Sequence, residues 1–274
     1  MADTGARERY THGHHPVVVG SHAMRTAATS AAYLLGLLRP GQTLLDVGCG
    51  PGSITADLAV LVMPGQVVGI DNVAEVLQGA RSLAAERKLT NVRFEEASIY
   101  ELPYGDASFD VVHAHQVLQH LGDPVGALVE MRRVLCPDGL VAARDSDYGT
   151  MVHDPQEPLM DRWLELYHQV TRLNGAEADA GRRLQGWALA AGFADVVASS
   201  STWTYATPEA VRVWAELWAV RITEGAFAGQ AIAAGLSTSE ELADLATGWH
   251  RWAEQPGAFF TFIHGEIIAR NTRE

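Results

Sequence analysis

Short apolar runs alternate with alanine- and leucine-rich stretches through the first half of this 274-residue chain. The stretches between the runs predict helices at residues 53–62, 73–87 and 124–135. Strands and helices that alternate at this spacing indicate βαβ units, and strands that are apolar throughout are typical of a parallel sheet covered on both faces. The runs themselves predict buried strands at residues 43–47, 67–71, 92–94, 109–113 and 140–143.

The second half of the chain adds two strands and several helices. Residues 23–38 also predict a helix, which Pro40-Gly41 ends. Strands are predicted at residues 196–205 and 259–268, and helices at residues 156–173, 181–191, 208–222 and 238–253. We therefore expect an α/β fold, Rossmann-like and doubly wound, with a mostly parallel seven-stranded sheet and a helical cap. The expected units are an N-terminal lid and helix (1–39), a core (40–207 and 256–274) and a cap insertion (208–255).

Composition excludes several classes of protein. The formal net charge of −13 disfavours non-specific binding to nucleic acid. Two cysteines are too few for a disulfide scaffold and suit a reducing compartment. No apolar run approaches the roughly 18 residues of a membrane span, and residues 1–15 do not have the pattern of a signal peptide. A soluble cytoplasmic protein without a membrane span is the resulting expectation.

The turn after the first strand carries three glycines in the order G-x-G-x-G, at Gly48, Gly50 and Gly52. Such a turn lies at the carboxyl edge of a parallel sheet and lets a ligand approach the backbone closely. Asp71 ends the next strand, where a carboxylate can accept hydrogen bonds from ribose hydroxyls. The spacing departs from the dinucleotide fingerprint G-x-G-x-x-G. Asp46, just before the turn, is awkward beside a pyrophosphate but suits a cationic amino-acid ligand, which it could bind directly; alternatively it could position the loop.

Four segments in order resemble the motifs of class I S-adenosylmethionine-dependent methyltransferases. The closest subgroup is the small-molecule type that includes the ubiquinone/menaquinone-biosynthesis methyltransferases, and the resemblance covers residues 40–145. A nicotinamide-dependent oxidoreductase is an alternative that rests on the glycine turn alone. The segments are LLDVGCGPG with a downstream GID (44–52 and 69–71), ELPY with SFDVV (101–104 and 108–112), VLQHLGDP (117–124) and RRVLCPDG (132–139).

The resemblance implies S-adenosylmethionine as cofactor and assigns it a binding site. Asp46, Gly48 and Gly50 would hold the methionine moiety, and Asp71 the ribose. The family often has Gly-Asp where this chain has Ala97-Ser98, so a hydroxyl replaces a carboxylate beside the adenine. The residues placed at the cofactor are Asp46, Gly48, Cys49, Gly50, Gly52, Asp71, Asn72, Ser98, Ile99 and His115.

Methyl transfer requires an aligned acceptor, and often a base to remove its proton. The candidates for catalysis are His14, His15, His115 and Asp145. We expect Tyr10, His14, His15 and His22 to form a lid, the alternative being a solvated terminus. The run Arg144–Tyr148 is expected in a loop at the ligand edge, where its carboxylates either bind substrate or face solvent. The candidates for substrate contact are Tyr10, His22, Asp147, Tyr148, Trp214 and Trp218.

Other histidines and the tryptophan pairs have competing interpretations. His120 could be structural or catalytic, and His264, which alternates with Phe262, is expected in the core. The run His12–His15 has no carboxylate or cysteine at ligand spacing, so no metal site is expected. Trp214 and Trp218 share a helix face, which suits core packing and a homodimer as well as an aromatic pocket.

The function expected from the sequence is methyl transfer to an oxygen or carbon of a small hydrophobic or aromatic metabolite, natural-product or quinone-like. A nitrogen acceptor is not excluded by the acidic composition. The alternative is a methyltransferase-like fold that uses its bound cofactor structurally, as a scaffold or for a rearrangement, without methyl transfer.

Overall fold

The computed structural model describes residues 10–13 and 16–272 and contains a seven-stranded sheet in the order β3-β2-β1-β4-β5-β7-β6. Strands β1 to β5 are parallel to their neighbours, and β7 runs antiparallel between β5 and β6. The predicted fold class, α/β with a mostly parallel seven-stranded sheet, is confirmed. The strands are β1 (Leu44–Val47), β2 (Val67–Asp71), β3 (Val92–Glu96), β4 (Phe109–His115), β5 (Leu135–Asp154), β6 (Asp195–Tyr205) and β7 (Phe259–Arg270).

Helices cover both faces of this sheet, as its apolar strands require. Single 3₁₀ turns at Leu118–His120 and Ala180–Arg183 join some of them. None of the described helices has the length and apolar character needed to cross a bilayer. The helices are α1 (Pro16–Ala23), α2 (Ala27–Ser30), α3 (Ala32–Leu35), α4 (Ser53–Val62), α5 (Ala74–Glu86), α6 (Pro124–Val134), α7 (Pro158–Leu173), α8 (Leu184–Ala190), α9 (Pro208–Thr223), α10 (Ala226–Ala233) and α11 (Ser239–Ala253).

Side chains that alternate along each strand divide the core into two layers. Leu44 and Val111 pack with helices α2, α3 and α4, and we call this side of the sheet the α4 face. Leu45 and Val112 pack with α6 and α8 on the opposite side, the α6 face. The face of the sheet on which a side chain lies determines which other functional groups it can contact.

A third hydrophobic cluster lies beyond the carboxyl edge and is dominated by aromatic residues. Trp163 of α7, Trp218 of α9 and Trp249 of α11 are almost completely buried in it. Trp163 lies 4.4 Å from Trp218 and 4.9 Å from Trp249 between ring centroids, in edge-to-face arrangements that aromatic pairs favour. Helix α7 therefore packs with the helices of residues 208–255, although it precedes them by two elements in the chain.

Two sequence predictions about elements are wrong in their limits. The single helix expected at 23–38 is divided, because the Thr26 hydroxyl accepts a hydrogen bond from the Thr29 N–H and begins a new helix there. The fifth strand continues past Ala143 to Asp154, since β7 pairs with it from Leu140 onward. The run Arg144–Tyr148 is consequently buried strand and not an exposed loop.

Candidate functional site

The glycine turn joins β1 to α4 in the left-handed backbone region that glycine favours. Gly48 has a φ of +65°, and a Cβ there would lie 2.4 Å from a methyl of Val117, so packing requires glycine. Gly50 has a φ of +52°, and a Cβ there would meet no atom within 4 Å. The backbone at Gly50 is thus open on the side from which a ligand would approach.

Asp71 ties this turn to the end of β2. Its Oδ2 accepts a hydrogen bond from the Gly50 N–H at 3.1 Å, and its Oδ1 accepts one from the Val73 N–H at 3.1 Å. The side chain is half-buried, and the neighbouring Asn72 is exposed. The carboxylate therefore lies beside the open face of Gly50, where the sequence placed it.

The segment after β3 reaches the same edge of the sheet. The Ala97 N–H donates to the Asp71 carbonyl at 3.1 Å, which brings the next residues close to the end of β2. Ser98 is exposed and its hydroxyl accepts from the Tyr100 N–H, whereas Ile99 is buried on the α6 face. The residues predicted around the adenine thus lie at one edge, with a hydroxyl at position 98.

Asp46 is buried under the turn and is fully engaged with protein groups. Its Oδ1 lies 2.7 Å from His113 Nδ1, and its Oδ2 accepts from the Thr55 hydroxyl. These bonds link β1, β4 and α4 directly beneath Gly48. The geometry fits the second of the two roles that the sequence left open for Asp46, positioning the loop.

His115 ends β4 on the α4 face and is 7% exposed. Neither of its ring nitrogens has a hydrogen-bond partner among the described residues. Its ring centroid lies 6.0 Å from Trp203. Burial, followed by the positive charges of Arg25 and Arg144, holds the pKa of His115 well below its ordinary value, so the imidazole is neutral at pH 7.

Asp145 lies on the opposite face from His115, because His115 is in register with Arg144 and side chains alternate along β5. It is completely buried, and its Oδ1 accepts from the Gln119 N–H at 3.2 Å. Burial raises the pKa of Asp145 to about 7, against the lowering effect of backbone N–H groups. These two predicted catalytic residues are not brought together.

Asp147 shares the α6 face with Asp145 and is 3% exposed. Both of its oxygens accept hydrogen bonds from the Arg182 guanidinium, at 2.6 and 2.5 Å. Tyr148 faces the other way and lies 4.1 Å from Tyr167 in a stacked pair. The expectation that Arg144–Tyr148 forms a single ligand loop is wrong, since its members point alternately to two faces.

The N-terminal segment packs against the aromatic cluster. The Tyr10 ring meets His120 edge-on at 4.6 Å. His12 Nε2 lies 3.0 Å from the Tyr167 hydroxyl and 3.3 Å from the Tyr148 hydroxyl. Predicted lid and substrate residues therefore meet in one aromatic group.

The same segment reaches the glycine turn at its other end. The Ser53 hydroxyl, in the first residue of α4, donates to the His22 carbonyl at 3.3 Å. The Arg221 guanidinium of α9 donates to the Ser21 hydroxyl at 3.0 Å. Two residues predicted for the lid and for catalysis, His14 and His15, lie outside the described residues.

Two further histidines, His120 and His264, have polar side chains as neighbours. His120 Nε2 lies 2.9 Å from Gln119 Nε2, and burial together with Arg25 and Arg221 lowers its pKa to about 3. His264 is completely buried beside Phe262, as the alternation predicted, and its Nε2 lies 2.9 Å from the Gln116 amide. Within the described part of the chain, no group of three potential ligands could hold a metal ion.

Trp214 and Trp218 are buried on one face of α9. Trp214 stacks on Tyr205 at 4.2 Å, and Trp218 lies 5.8 Å from His12. Neither indole N–H has a hydrogen-bond partner within the residues described. Core packing and an aromatic site wall are both compatible with these contacts.

Three arginines lie around this region: Arg25 and Arg221 were not singled out from the sequence, and Arg144 was named only as the first residue of the run Arg144–Tyr148. Arg221 carried a signal, since it follows Trp218 by three residues and shares the apolar side of α9. Arg144 continued an apolar strand. Nothing local distinguished Arg25 from an ordinary surface cation.

Comparison with known proteins decides the family. A family profile described as a methyltransferase domain matches residues 38–209. An uncharacterized methyltransferase of Schizosaccharomyces pombe is 34% identical over 279 residues, which cover 94% of this chain and 95% of that protein. The probable methyltransferase ltbC of Aspergillus luteorubrus is 30% identical, over 98% of this chain and 99% of its own. The chain belongs to the methyltransferase family.

The solved structure of the cyclase SpnF has a similar fold, with a TM-score of 0.56 and 23% identity over 94% of this chain and 81% of that one. The predicted class, an S-adenosylmethionine-dependent methyltransferase, is confirmed, and so is the cofactor. The residues present fit this cofactor, because Gly50 leaves an open approach to the backbone and Asp71 presents a carboxylate beside it.

Proposed function

We propose that the enzyme transfers a methyl group to an oxygen or carbon of a small aromatic metabolite. The observation that carries this proposal is the aromatic enclosure at the carboxyl edge. Tyr10, Tyr148 and Trp218 contact His12 there, and His12 in turn contacts His120 in the turn that follows the strand carrying His115. Ligand sites are mostly apolar with a few polar groups, and this enclosure has that character.

The proposed cofactor site comprises the open backbone at Gly50, the carboxylate of Asp71, and Asn72, Ser98 and Ile99 along the same edge. When bound, S-adenosylmethionine supplies a methyl group activated by a positively charged sulfur. In this proposal Asp46 acts indirectly, since its bonds to His113 and Thr55 hold the turn in place.

His115 is the proposed contact to the acceptor. Its neutral imidazole can accept a hydrogen bond from an acceptor hydroxyl or donate one, and its buried nitrogens have no other partner among the described groups. A base works best when its pKa is near the operating pH, so a strongly lowered pKa suits orientation better than proton removal. Orientation of the reacting atoms can itself supply about 7–11 kcal/mol.

We further propose that the N-terminal segment, of which residues 10–13 and 16–25 are described, forms the lid expected from the sequence, over a cap of α7 and residues 208–255. The support is that the segment contacts both sides of the site. Its Thr11 hydroxyl accepts from Asn174 after α7, and its Tyr10 carbonyl accepts from Gln230 of α10. At the other end it contacts Ser53 beside the glycine turn. Closing both sides would exclude water from the reacting groups.

Binding of the demethylated product S-adenosylhomocysteine tests the site. Isothermal titration should show saturable binding to the wild-type protein and at least a tenfold loss in Asp71→Ala, since a charged hydrogen-bonding partner contributes about 1.5–3 kcal/mol. The exposed Asp244→Ala on α11 is the matched control. Full binding by Asp71→Ala would remove the proposed site.

Methyl transfer is tested separately, by release of S-adenosylhomocysteine from S-adenosylmethionine in the presence of phenolic and quinone-like acceptors. Binding without release across the acceptor set would favour the alternative, a cofactor used structurally. The expected homodimer stays a prediction, which light scattering of the purified protein would check.

A further inference from the structure

Three guanidinium groups lie against tryptophan rings in and beside the enclosure described above. The Arg25 guanidinium lies 5.3 Å from the ring centroid of Trp203, and that of Arg144 lies 5.0 Å from it. Arg221 lies 4.9 Å from the Trp218 ring. These elements are far apart in sequence, so the fold assembles the cluster.

Negative charge does not compensate this cluster within the described residues. Arg144 has one carboxylate partner, Glu266 at 3.2 Å, and its Nη1 has no partner there. Arg221 is 5% exposed, donates to the Ser21 hydroxyl, and has an unpaired Nε and no ion pair in the described chain. Arg25 likewise forms no ion pair with any described carboxylate.

Buried charges are ordinarily paired, because removing an unpaired ion from water costs several kcal/mol. Here Arg221 is buried and Arg25 half-buried, and neither has a carboxylate partner among the described residues of a protein whose net charge is −13. Burial lowers the pKa of Arg25 to about 10, and Arg221 and Arg144 add to this effect against Tyr10 and Tyr205. The described residues supply no negative group for these two arginines, and a bound anionic ligand would supply one.

The aromatic side chains beside the arginines define the shape of that group's carrier. Trp203 and Tyr205 of β6 are half-buried, so part of each ring remains accessible. Flat rings stack on such surfaces, and the planar fork of arginine matches an oxyanion with two parallel hydrogen bonds. The sulfonium of the methyl donor adds further positive charge, which also favours a negative acceptor.

We propose that the acceptor is a planar aromatic compound bearing an oxyanion, either a carboxylate or an ionised phenol, which Arg25 and Arg221 bind. This inference rests on the proposed function, because it names the substrate class of that same site. Arg144 contributes less in this arrangement, since Glu266 already shares its charge.

Matched ligands test the proposal in protein saturated with S-adenosylhomocysteine. Titration should show naphthoate binding at least about tenfold more tightly than naphthamide, since a charged pair contributes about 1.5–3 kcal/mol more than its neutral replacement. A second pair, nitrophenolate and nitroanisole, distinguishes an ionised phenol from a carboxylate. Preference in either pair supports the proposal, and equal binding within both pairs overturns it.

Variants then locate the preference. Arg25→Gln and Arg221→Gln should each reduce the ratio of anion to neutral affinity by about tenfold, and Arg25→Lys should restore part of it. Arg212→Gln is the matched control, since Arg212 is exposed on the same helix as Arg221. A preference that persists in the double Gln variant would overturn the assignment to these arginines.

The two proposals fail in different ways. Absence of S-adenosylhomocysteine binding in the wild-type protein counts against the proposed function, and the ligand pairs are then compared in the protein alone. Normal S-adenosylhomocysteine binding without any preference for anions counts only against the acceptor class. The wild-type comparison requires no variant to fold, so it decides the inference by itself.

Discussion

Gly50 is the residue at which backbone conformation and ligand access coincide. Its φ of +52° is unfavourable for a side chain, yet a Cβ would meet no protein atom. We expect Gly50→Ala to lower the free energy of unfolding by about 1–2 kcal/mol through backbone strain. Its affinity for S-adenosylhomocysteine should fall at least tenfold, because the methyl group enters the space that the ligand requires.

Gly235 provides the control for strain alone. It lies between α10 and α11 with a φ of +67° and an equally open Cβ direction. Gly235→Ala should lose comparable stability in urea unfolding while titrating normally with S-adenosylhomocysteine. Equal affinities in the two variants would show that the turn at Gly50 does not contact the cofactor.

Asp145 gives a second prediction at the scale of one residue. Its pKa of about 7 in the folded protein exceeds the ordinary value near 3.8, so the folded state holds a proton that the unfolded state releases. Its contribution to stability is therefore complete below about pH 4 and is lost as pH rises toward 7, by roughly 1.4 kcal/mol per pH unit. Asp145→Asn should gain stability relative to wild type across that window.

Urea unfolding at about pH 5 and pH 8 measures this difference. Asn keeps an oxygen for the Gln119 N–H, so the hydrogen bond at 3.2 Å is preserved. The exposed Asp244→Asn is the control for a change in net charge. A stability difference that does not vary with pH would mean that Asp145 is ionised in the folded protein.

Local sequence predicted which residues meet at the proposed cofactor edge, because each belongs to a short motif at the end of one strand. Gly50 and Asp71 meet as expected, since parallel strands end at the same edge. The face taken by Asp145 was beyond such reasoning, because it depends on the register between β4 and β5. Arg25 was missed for a similar reason, since its surroundings come from β5, β6 and α9.

At the scale of elements, the limits of β5 show what an apolar pattern cannot reveal. The apolar run ends at Ala143, yet the strand continues because β7 lies alongside as an antiparallel partner. Polar residues can then be buried in the strand, since Arg144 pairs with Glu266 and Asp147 with Arg182. Pairing between distant segments, not local hydrophobicity, determines where this strand ends.

The N-terminal segment is the element whose removal should separate folding from turnover. Deleting residues 1–22 removes the contacts of Tyr10 and His12 with the aromatic cluster, and leaves all seven strands in place. We expect the circular-dichroism spectrum of the sheet to persist and turnover to fall at least about tenfold, a loss of about 1.4 kcal/mol of transition-state stabilisation. Turnover is measured as release of S-adenosylhomocysteine.

A shorter deletion serves as the control for this experiment. Removing residues 1–9 leaves every described contact of Tyr10 and His12 intact and should leave turnover near wild type. Unchanged turnover after deletion of residues 1–22 would contradict the lid and support the alternative interpretation, a solvated terminus. His12→Phe gives a finer probe, since it removes the bonds to Tyr148 and Tyr167 but retains a ring.

At the scale of the whole molecule, a chain with a net negative charge carries a local cluster of basic side chains. The chain carries 33 acidic and 20 basic residues, whereas the enclosure gathers Arg25, Arg144 and Arg221 around neutral histidines. Those histidines are kept neutral by burial and by the same arginines. The charge that favours an anionic acceptor therefore also contributes, after burial, to how the protein responds to acid.

Four histidines whose pKa values are lowered predict that stability falls on acidification. Burial lowers the pKa of each below its ordinary value of 6.5. Below pH 6.5 these histidines are therefore protonated in the unfolded state but remain neutral in the folded state. Stability then rises with pH, by about 1.4 kcal/mol per pH unit for each histidine, between its lowered pKa and about 6.5. Asp145 offsets the contribution of one histidine, because its raised pKa makes stability fall as pH rises. The four are His12, His115, His120 and His264.

Urea unfolding at several pH values between about 5 and 7.5 tests this expectation. Carboxylates whose pKa is lowered, such as Glu157 beside Arg251, lose their contribution to stability only near and below about pH 4.5. They therefore do not affect the comparison in this pH range. His264→Asn should reduce the dependence by about 1.4 kcal/mol per pH unit, because it removes one buried imidazole. His250→Asn replaces an exposed histidine and controls for the loss of a ring. A free energy of unfolding that stays level or rises on acidification would show that these histidines accept protons within the folded protein, and the enclosure would then lack the neutral, buried character on which the assignment of His115 depends.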